Sequence, residues 1–290
     1  MSIVRIIGLF LFFLPPILIW SQDQSQAYII KYDLPMQDGL TDISEIKWLT
    51  GFNKEGYNNQ PFVEGSKIYL TTSSDNGTMD VIALNPTSKT SEEIISTRDY
   101  SEFSTSVYQG QLYFVRQSLS DHQQGIWRKS NTEVENISYH SNVAYYRIIN
   151  QNEVAIILIE DQKLNLYIYN LQTETETLVS KSVGRGLEIG QNSEIYFIHK
   201  YNDRDWYIKK YDPETQRTSI VQKTLPTSED FCLDIEDQKI WMAQGSFIYY
   251  MNLQGTENRW KPGFDLSNFS INNIKRIAKY NKNQMVIINH

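Results

Sequence analysis

Six short apolar runs, each led by a polar residue, recur along the chain at a spacing that few folds accommodate. They begin at Lys67, Gln111, Glu153, Glu194, Lys239 and Gln284, at intervals of 44, 42, 41, 45 and 45 residues. A period of this length marks a stack of supersecondary units, none of which buries its apolar surface alone. After each of the first five runs come a polar turn and a second stretch: Val81-Ile82-Ala83-Leu84, Ile126-Trp127-Arg128, Leu166-Tyr167-Ile168-Tyr169, Trp206-Tyr207-Ile208-Lys209 and Phe247-Ile248-Tyr249-Tyr250. Asn85-Pro86, Asn170-Leu171, Asp212-Pro213 and Asn252-Leu253 then place Asn or Asp where its side chain bonds its own backbone and reverses the chain. A further strand follows, as in Glu93-Ile94-Ile95 or Thr177-Leu178-Val179. With the stretch before each polar lead, every unit has four antiparallel strands.

The central runs are almost continuously apolar, so both faces of those strands are covered. Four short strands at this period predict an all-β fold, a six-bladed β-propeller of four-stranded antiparallel blades. The sixth unit supplies only Ile274-Lys275-Arg276-Ile277 and Met285 to Ile288. Its missing pair lies near the other end, where Tyr28-Ile29-Ile30-Lys31-Tyr32-Asp33 resembles Tyr207-Ile208-Lys209-Lys210-Tyr211-Asp212 and Ile46-Lys47-Trp48-Leu49 supplies an outermost strand. We expect the last blade to be closed by strands from both termini, which removes exposed sheet edges.

The 19 Tyr, 12 Phe and 6 Trp fit the half-buried surfaces of strands. A net charge of −7 gives no electrostatic footprint for nucleic acid or an anionic membrane surface, and both are set aside as partners. Arg5, the apolar run Ile6 to Trp20 and the polar stretch from Ser21 follow the order of a secretory signal peptide. The run is shorter than the roughly 20 residues a span needs, and Pro15-Pro16 interrupts it. We expect a signal peptide at 1–21 and the propeller at 22–290, with cleavage after Ser21 or Gln22, or later at Ala27, and no membrane span after cleavage. Cys232 is the only cysteine, which excludes an intramolecular disulfide and a cysteine-rich zinc site; Phe231 and Leu233 around it predict a buried, inert thiol.

Tyr57-Asn58-Asn59-Gln60-Pro61, Ile68-Tyr69-Leu70-Thr71-Thr72, Asp80-Val81, Thr97 with Ser101-Glu102-Phe103-Ser104, and Gly125-Ile126-Trp127-Arg128 resemble, in that order, the first blades of TolB-like propeller proteins exported by gram-negative bacteria. The resemblance covers about residues 48 to 130. It departs from the family where Val63-Glu64-Gly65-Ser66 and Tyr108-Gln109-Gly110 replace the usual Ser-Pro-Asp-Gly turn. It implies a periplasmic or surface propeller acting as a binding scaffold, and it carries no catalytic residues to transfer.

Propeller ligands sit where loops entering the innermost strands converge on the central channel. Those positions hold Asn58, Asn59 and Gln60, Tyr100 and Glu102, Tyr145 and Arg147, Arg185, Glu229 and Asp230, and Asn272. Loops between second and third strands add His122, Asp203, Arg204, Asp205 and Trp206. The ligand-binding set expected at this mouth is Asn58, Asn59, Gln60, Tyr100, Glu102, Tyr145, Arg147, Arg185, Asp230 and Trp206.

Catalytic motifs are weaker. His122, His140, His199 and His290 occupy different structural roles, so no metal site is expected, although oligogalacturonate lyases of related build hold a divalent ion. Ser73, Asp75 and Gly77 read better as a hairpin turn on Asn76-Gly77 than as a sialidase-type Asp box. Gly184, Gly186 and Gly190 lack a βαβ context and read as a blade-to-blade turn. Asp203/Asp205 and Asp234/Glu236 read as the solvent face of strands. The expected function is non-enzymatic binding of an envelope protein or peptide, with a glycan as a further ligand, no cofactor and no metal. The alternative is a carbohydrate-active lyase or glycosidase with its site at the channel mouth.

Overall fold

The computed structural model describes residues 24–34, 39–131, 133–254 and 259–290. Its strands form six four-stranded antiparallel sheets. From the channel outward, blade 1 comprises Asn58–Glu64, Lys67–Ser73, Met79–Asn85 and Thr90–Ile95. Blade 2 comprises Tyr100–Tyr108, Gln111–Ser118, Gln124–Lys129 and Val134–Asn136. Blade 3 comprises Val143–Ile148, Glu153–Glu160, Lys163–Asn170 and Thr175–Ser180. Blade 4 comprises Val183–Ile189, Ile195–Lys200, Trp206–Asp212 and Arg217–Lys223. Blade 5 comprises Phe231–Asp234, Lys239–Gln244, Phe247–Asn252 and Lys261–Asp265. Blade 6 takes Ile274–Asn281 and Gln284–Asn289 from one end of the chain and Gln26–Tyr32 and Ile43–Trp48 from the other.

The six periodic runs are the second strands. They are buried on both faces because each blade packs against two neighbours. Six apolar clusters result, one in each gap. Ile68, Leu70, Val286 and Ile288 fill the gap between blades 6 and 1. Trp241, Phe264, Tyr32 and Met285 fill that between blades 5 and 6. Innermost strands contact one another in sequence around the ring, including Ile274–Asn281 against Asn58–Glu64, so the ring is closed.

The turn chemistry is as expected. Asn85 Oδ1 accepts from the amides of Thr87 and Ser88, Asn170 Oδ1 from Gln172 and Thr173, and Asp212 Oδ1 from Glu214 and Thr215. Each turn is followed by a residue with left-handed φ, at Lys89, Glu174 and Gln216. The closing seam runs Gln26 opposite Asn289 through Lys31 opposite Gln284. Ser25 Oγ bonds Asn58 carbonyl at 3.0 Å, and the Ala27 amide donates to Thr50 Oγ1 at 3.0 Å, so the N-terminal strand is latched to blade 1 as well as paired in blade 6. Residues 1–21, expected to be a signal peptide, lie outside the described residues. Among the described residues no helix is long and apolar enough to cross a membrane.

Candidate functional site

The innermost strands carry irregular backbone. Register shifts fall between Asn59 and Phe62, Phe103 and Ser106, Val143 and Tyr145, Val183 and Leu187, and Ile274 and Arg276. A bulge inserts an unpaired residue and re-aims its side chain. Gln60, Pro61, Ser104, Thr105 and Arg185, all within these shifts, line a channel cavity. Gln60 and Ser104 take left-handed φ values of 54° and 50°. Gln60 Oε1 pins both bulges by accepting from the Ser104 amide at 2.7 Å and from Thr71 Oγ1 at 3.1 Å. Gly186 fits beside Arg185 because a Cβ there would lie 2.9 Å from the Phe231 ring of blade 5.

Each innermost strand is reached from the outer strand of the preceding blade, so all six run the same way along the channel. Arg185, Tyr145 and Asp230, early in their strands or just before them, belong to one mouth. Val63, Leu233 and Lys279, late in theirs, belong to the other. Two cavities share the lumen. One of about 30 Å³ touches Gln60, Thr105, Tyr145 and Arg185. The other, about 200 Å³, reaches Val63, Cys232, Leu233 and Lys279. Both are lined by Arg147, Glu188, Asp230 and Arg276.

Three guanidinium groups dominate. Arg276 donates to Asp230 Oδ1 and to Tyr145 Oη, each at 3.4 Å, and Asp230 Oδ2 also accepts the Ile277 amide at 3.2 Å. Arg147 reaches Glu188 Oε1 at 3.5 Å and the Tyr146 carbonyl at 3.2 Å. Arg185 donates to the Lys275 carbonyl at 3.0 Å. The Nε atoms of Arg185 and Arg276 are buried without a hydrogen-bond partner. Burial, and then the neighbouring Arg276 charge, lower the pKa of Arg185. For Arg276 burial opposes the charge, but Asp230, Tyr145 and Tyr57 outweigh it and raise the pKa. Burial pushes the Tyr57 phenol up to about 12 against the opposing pull of Arg276 and Arg185. Burial likewise raises Glu188, with Arg147 opposing. Its side chain still keeps 29% of its surface, and that of Arg147 25%, so the lumen reaches both.

Of the residues expected from sequence, Gln60, Tyr145, Arg147, Arg185 and Asp230 converge on this lumen. Asn58 is fully buried and serves the latch, its Nδ2 donating to the carbonyls of Ser25, Asn53 and Gly56. Asn59 is 3.1 Å from a ring nitrogen of His290. Glu102 points into the blade wall, fully buried, bonded to Thr97 Oγ1 at 2.7 Å and Arg116 Nε at 3.1 Å. Tyr100 and Trp127 each lie 4.9 Å from that Arg116 guanidinium. Trp206 carries Lys200 over its ring at 4.4 Å, and Lys200 pairs with Glu229. Tyr57, Glu188 and Arg276 were missed. The signal for two of them was a charge inside an innermost strand, where a purely packing role calls for an apolar residue.

Three readings change. Gly184 and Gly186 lie inside the innermost strand Val183–Ile189, where they serve a bulge and close packing and not a blade-to-blade turn. Asp234 is buried and not on a solvent face, because Lys279 Nζ donates to it at 2.6 Å and to Tyr32 Oη at 2.9 Å. Asp203 lies in a loop beyond its strand, and Asp205 Oδ1 accepts from Lys223 Nζ at 2.7 Å. Cys232 is buried as expected, and burial raises its thiol pKa. The histidines are dispersed: His140 meets Glu176 at 2.8 Å, His199 meets Ser180 at 2.8 Å, His290 meets Asn59, and His122 sits in a blade 2 turn. Among the described residues no three His, Cys, Asp or Glu side chains are grouped to hold a metal.

Ring, blades and seam define a six-bladed β-propeller with an arginine-lined channel. No family model and no curated protein matches the sequence. Solved structures do match. A putative TolB from Agrobacterium tumefaciens superimposes with a TM-score of 0.60 at 10% identity, covering 92% of this chain and 98% of that one. TolB from Acinetobacter baumannii gives 0.59 at 11% identity, covering 83% of this chain and 64% of that one. Oligogalacturonate lyase from Vibrio parahaemolyticus gives 0.55 at 11% identity, covering 87% and 84%. The propeller is TolB-like in architecture.

Proposed function

We propose that this chain is an exported, non-enzymatic binding propeller of the cell envelope, whose partner protein or peptide engages the channel through the Arg147, Arg185 and Arg276 cluster. The observation that carries this reading is a polar, arginine-rich lumen held on the bulged inner strands. The signal-like segment at 1–21 and the TolB-like architecture support it. Cleavage at Ala27 would remove Ser25 and its latch, so processing after Ser21 or Gln22 is the site consistent with the seam. The test is affinity capture of the tagged, processed protein from its own envelope fraction, with mass spectrometry of what is retained. A reproducible partner that is lost in Arg147→Ala supports the reading; an empty capture counts against it.

The likeness to oligogalacturonate lyase favours one second reading, a carbohydrate-active site using Glu188 and Asp230. The cavity opposes it. About 200 Å³ lies below the roughly 300–1,000 Å³ typical of small-molecule sites, and both carboxylates face an arginine. Release of unsaturated or reducing sugars from acidic polysaccharides, abolished by Glu188→Gln, would establish the enzyme in place of the scaffold.

A further inference from the structure

The lumen is charged in an unbalanced way. Arg147, Arg185 and Arg276 face two carboxylates, Glu188 and Asp230, while Lys279 farther along is matched by Asp234. With every group ionised, the arginine cluster therefore holds one positive charge in excess. Donors are in excess too. Three guanidinium groups offer about fifteen N–H donors, against the five hydrogen bonds described above, two of them at 3.4 Å and one at 3.5 Å. Two of the spare donors, the Nε atoms of Arg185 and Arg276, are buried. Buried donors without partners are destabilising and are uncommon in folded proteins.

We propose that the channel is a receptor for one carboxylate, which seats on the guanidinium groups of Arg185 and Arg276. This inference rests on the binding reading above and names the chemistry that its site takes. A planar guanidinium offers paired parallel donors that match the two oxygens of a carboxylate. Arg185 and Arg276 also repel one another, since the charge of Arg276 lowers the pKa of Arg185, and an anion between them relieves that repulsion. Glu188 and Asp230 act as a filter. They limit the excess to one charge, so a single carboxylate neutralises the cluster, whereas a dianion such as sulfate leaves one desolvated negative charge without a partner and a neutral amide leaves the excess charge unmatched. The cavity of about 30 Å³ beside Arg185 and Arg276 takes the carboxylate group alone, and the adjoining cavity of about 200 Å³, which also reaches Arg276, takes the rest of a single acidic side chain, a peptide C-terminus or a small free acid, and not a chain of sugars.

The probe is sodium propionate, titrated into the full processed protein at constant ionic strength. The readout is the Nε–H signals of the arginines in nitrogen-15 NMR, assigned through single Arg→Lys variants. Saturable shifts confined to Arg185 and Arg276, absent with propionamide and at least tenfold weaker with sulfate, are expected. Arg276→Gln should weaken propionate binding at least tenfold. If that variant fails to melt cooperatively, Arg185→Gln provides the same comparison from the other half of the seat. Shifts no larger than those of exposed Arg98, or equal shifts with propionamide or sulfate, overturn the proposal. N-acetylaspartate amide, N-acetylglycine and propionate then separate the sources: at least tenfold tighter binding of the first indicates an acidic side chain, of the second a C-terminus, and equal binding a free acid. A captured partner with no propionate response removes this inference alone. A propionate response with an empty capture removes the protein-partner reading alone.

Discussion

Two buried ion pairs outside the arginine cluster show how the same residue types serve opposite ends. Glu102 is fully buried, and burial lifts its pKa to about 7 although Thr97 and Arg116 pull it down. A carboxyl raised in the folded state loses stability as pH climbs from its unfolded value, about 4.5, through about 7, because the ionised form is the one the fold disfavours. The shift corresponds to about 3 kcal/mol lost across that window. Glu102→Gln should flatten the dependence, so that melting temperatures at pH 5.5 and pH 8 lie closer together than in the parent; an unchanged difference would assign the pH dependence elsewhere. Asp234 is the counterpart. Replacing it by Ala strands Lys279, which is only 17% exposed, and should cost about 3 kcal/mol in denaturant unfolding. Lys67→Ala, which breaks the exposed pair with Glu92, should cost under about 1 kcal/mol in the same measurement.

At the level of the strand, the decisive element is Val183–Ile189. Its bulge carries Arg185 into the lumen, and Gly186 lets it lie against Phe231 and the Glu229 carbonyl. Gly186→Ala puts a methyl group about 3 Å from both, at a place where one wall is backbone. We expect a loss of about 1–3 kcal/mol in chemical denaturation together with displaced Arg185 Nε–H and Phe231 signals in NMR spectra; unchanged spectra would show that the strand has slack. Bulges also explain why the site was harder to read than the fold. The second strands were legible because burial on both faces leaves a continuous apolar run, as in Ile156-Ile157-Leu158. Glu102 and Glu188 are both acids of innermost strands, yet one enters the wall and the other the lumen. Side-chain alternation decides which, and each bulge shifts that alternation by a residue without a distinctive sequence mark. Arg185 was found because it was read in the segment entering its innermost strand, whereas for the sixth blade that segment was read at Asn272, short of Arg276, and Glu188 lies near the far end of Val183–Ile189.

Across the whole molecule, six similar gaps share the apolar burial, and a single seam joins the chain to itself. The two-plus-two closure was legible from the likeness of the segment at Tyr28 to the one at Tyr207. The latch was not, because it depends on the side chains of Ser25 and Asn58 each bonding the other residue's backbone across two blades. Asn58→Ala removes three donated bonds of that latch and should speed amide hydrogen exchange in Gln26–Tyr32 well before it affects blade 3. Uniform exchange across the ring would show that the blades unfold together.

The seam has a temporal consequence. Tyr32 Oη bonds the carbonyl of Lys282, 250 residues away, so the strand that bears Tyr32 is made early and finds its mate last. Until Gln284–Asn289 arrives, Gln26–Tyr32 has an open edge able to pair with any other extended chain. Such distant pairing is also slow to form. Among all the joints of the ring, this one exposes the nascent molecule to mispairing for longest, and a linker that joined Asn289 directly to Gln26, with new ends cut at Thr227 between blades 4 and 5, would make every blade a product of neighbouring sequence.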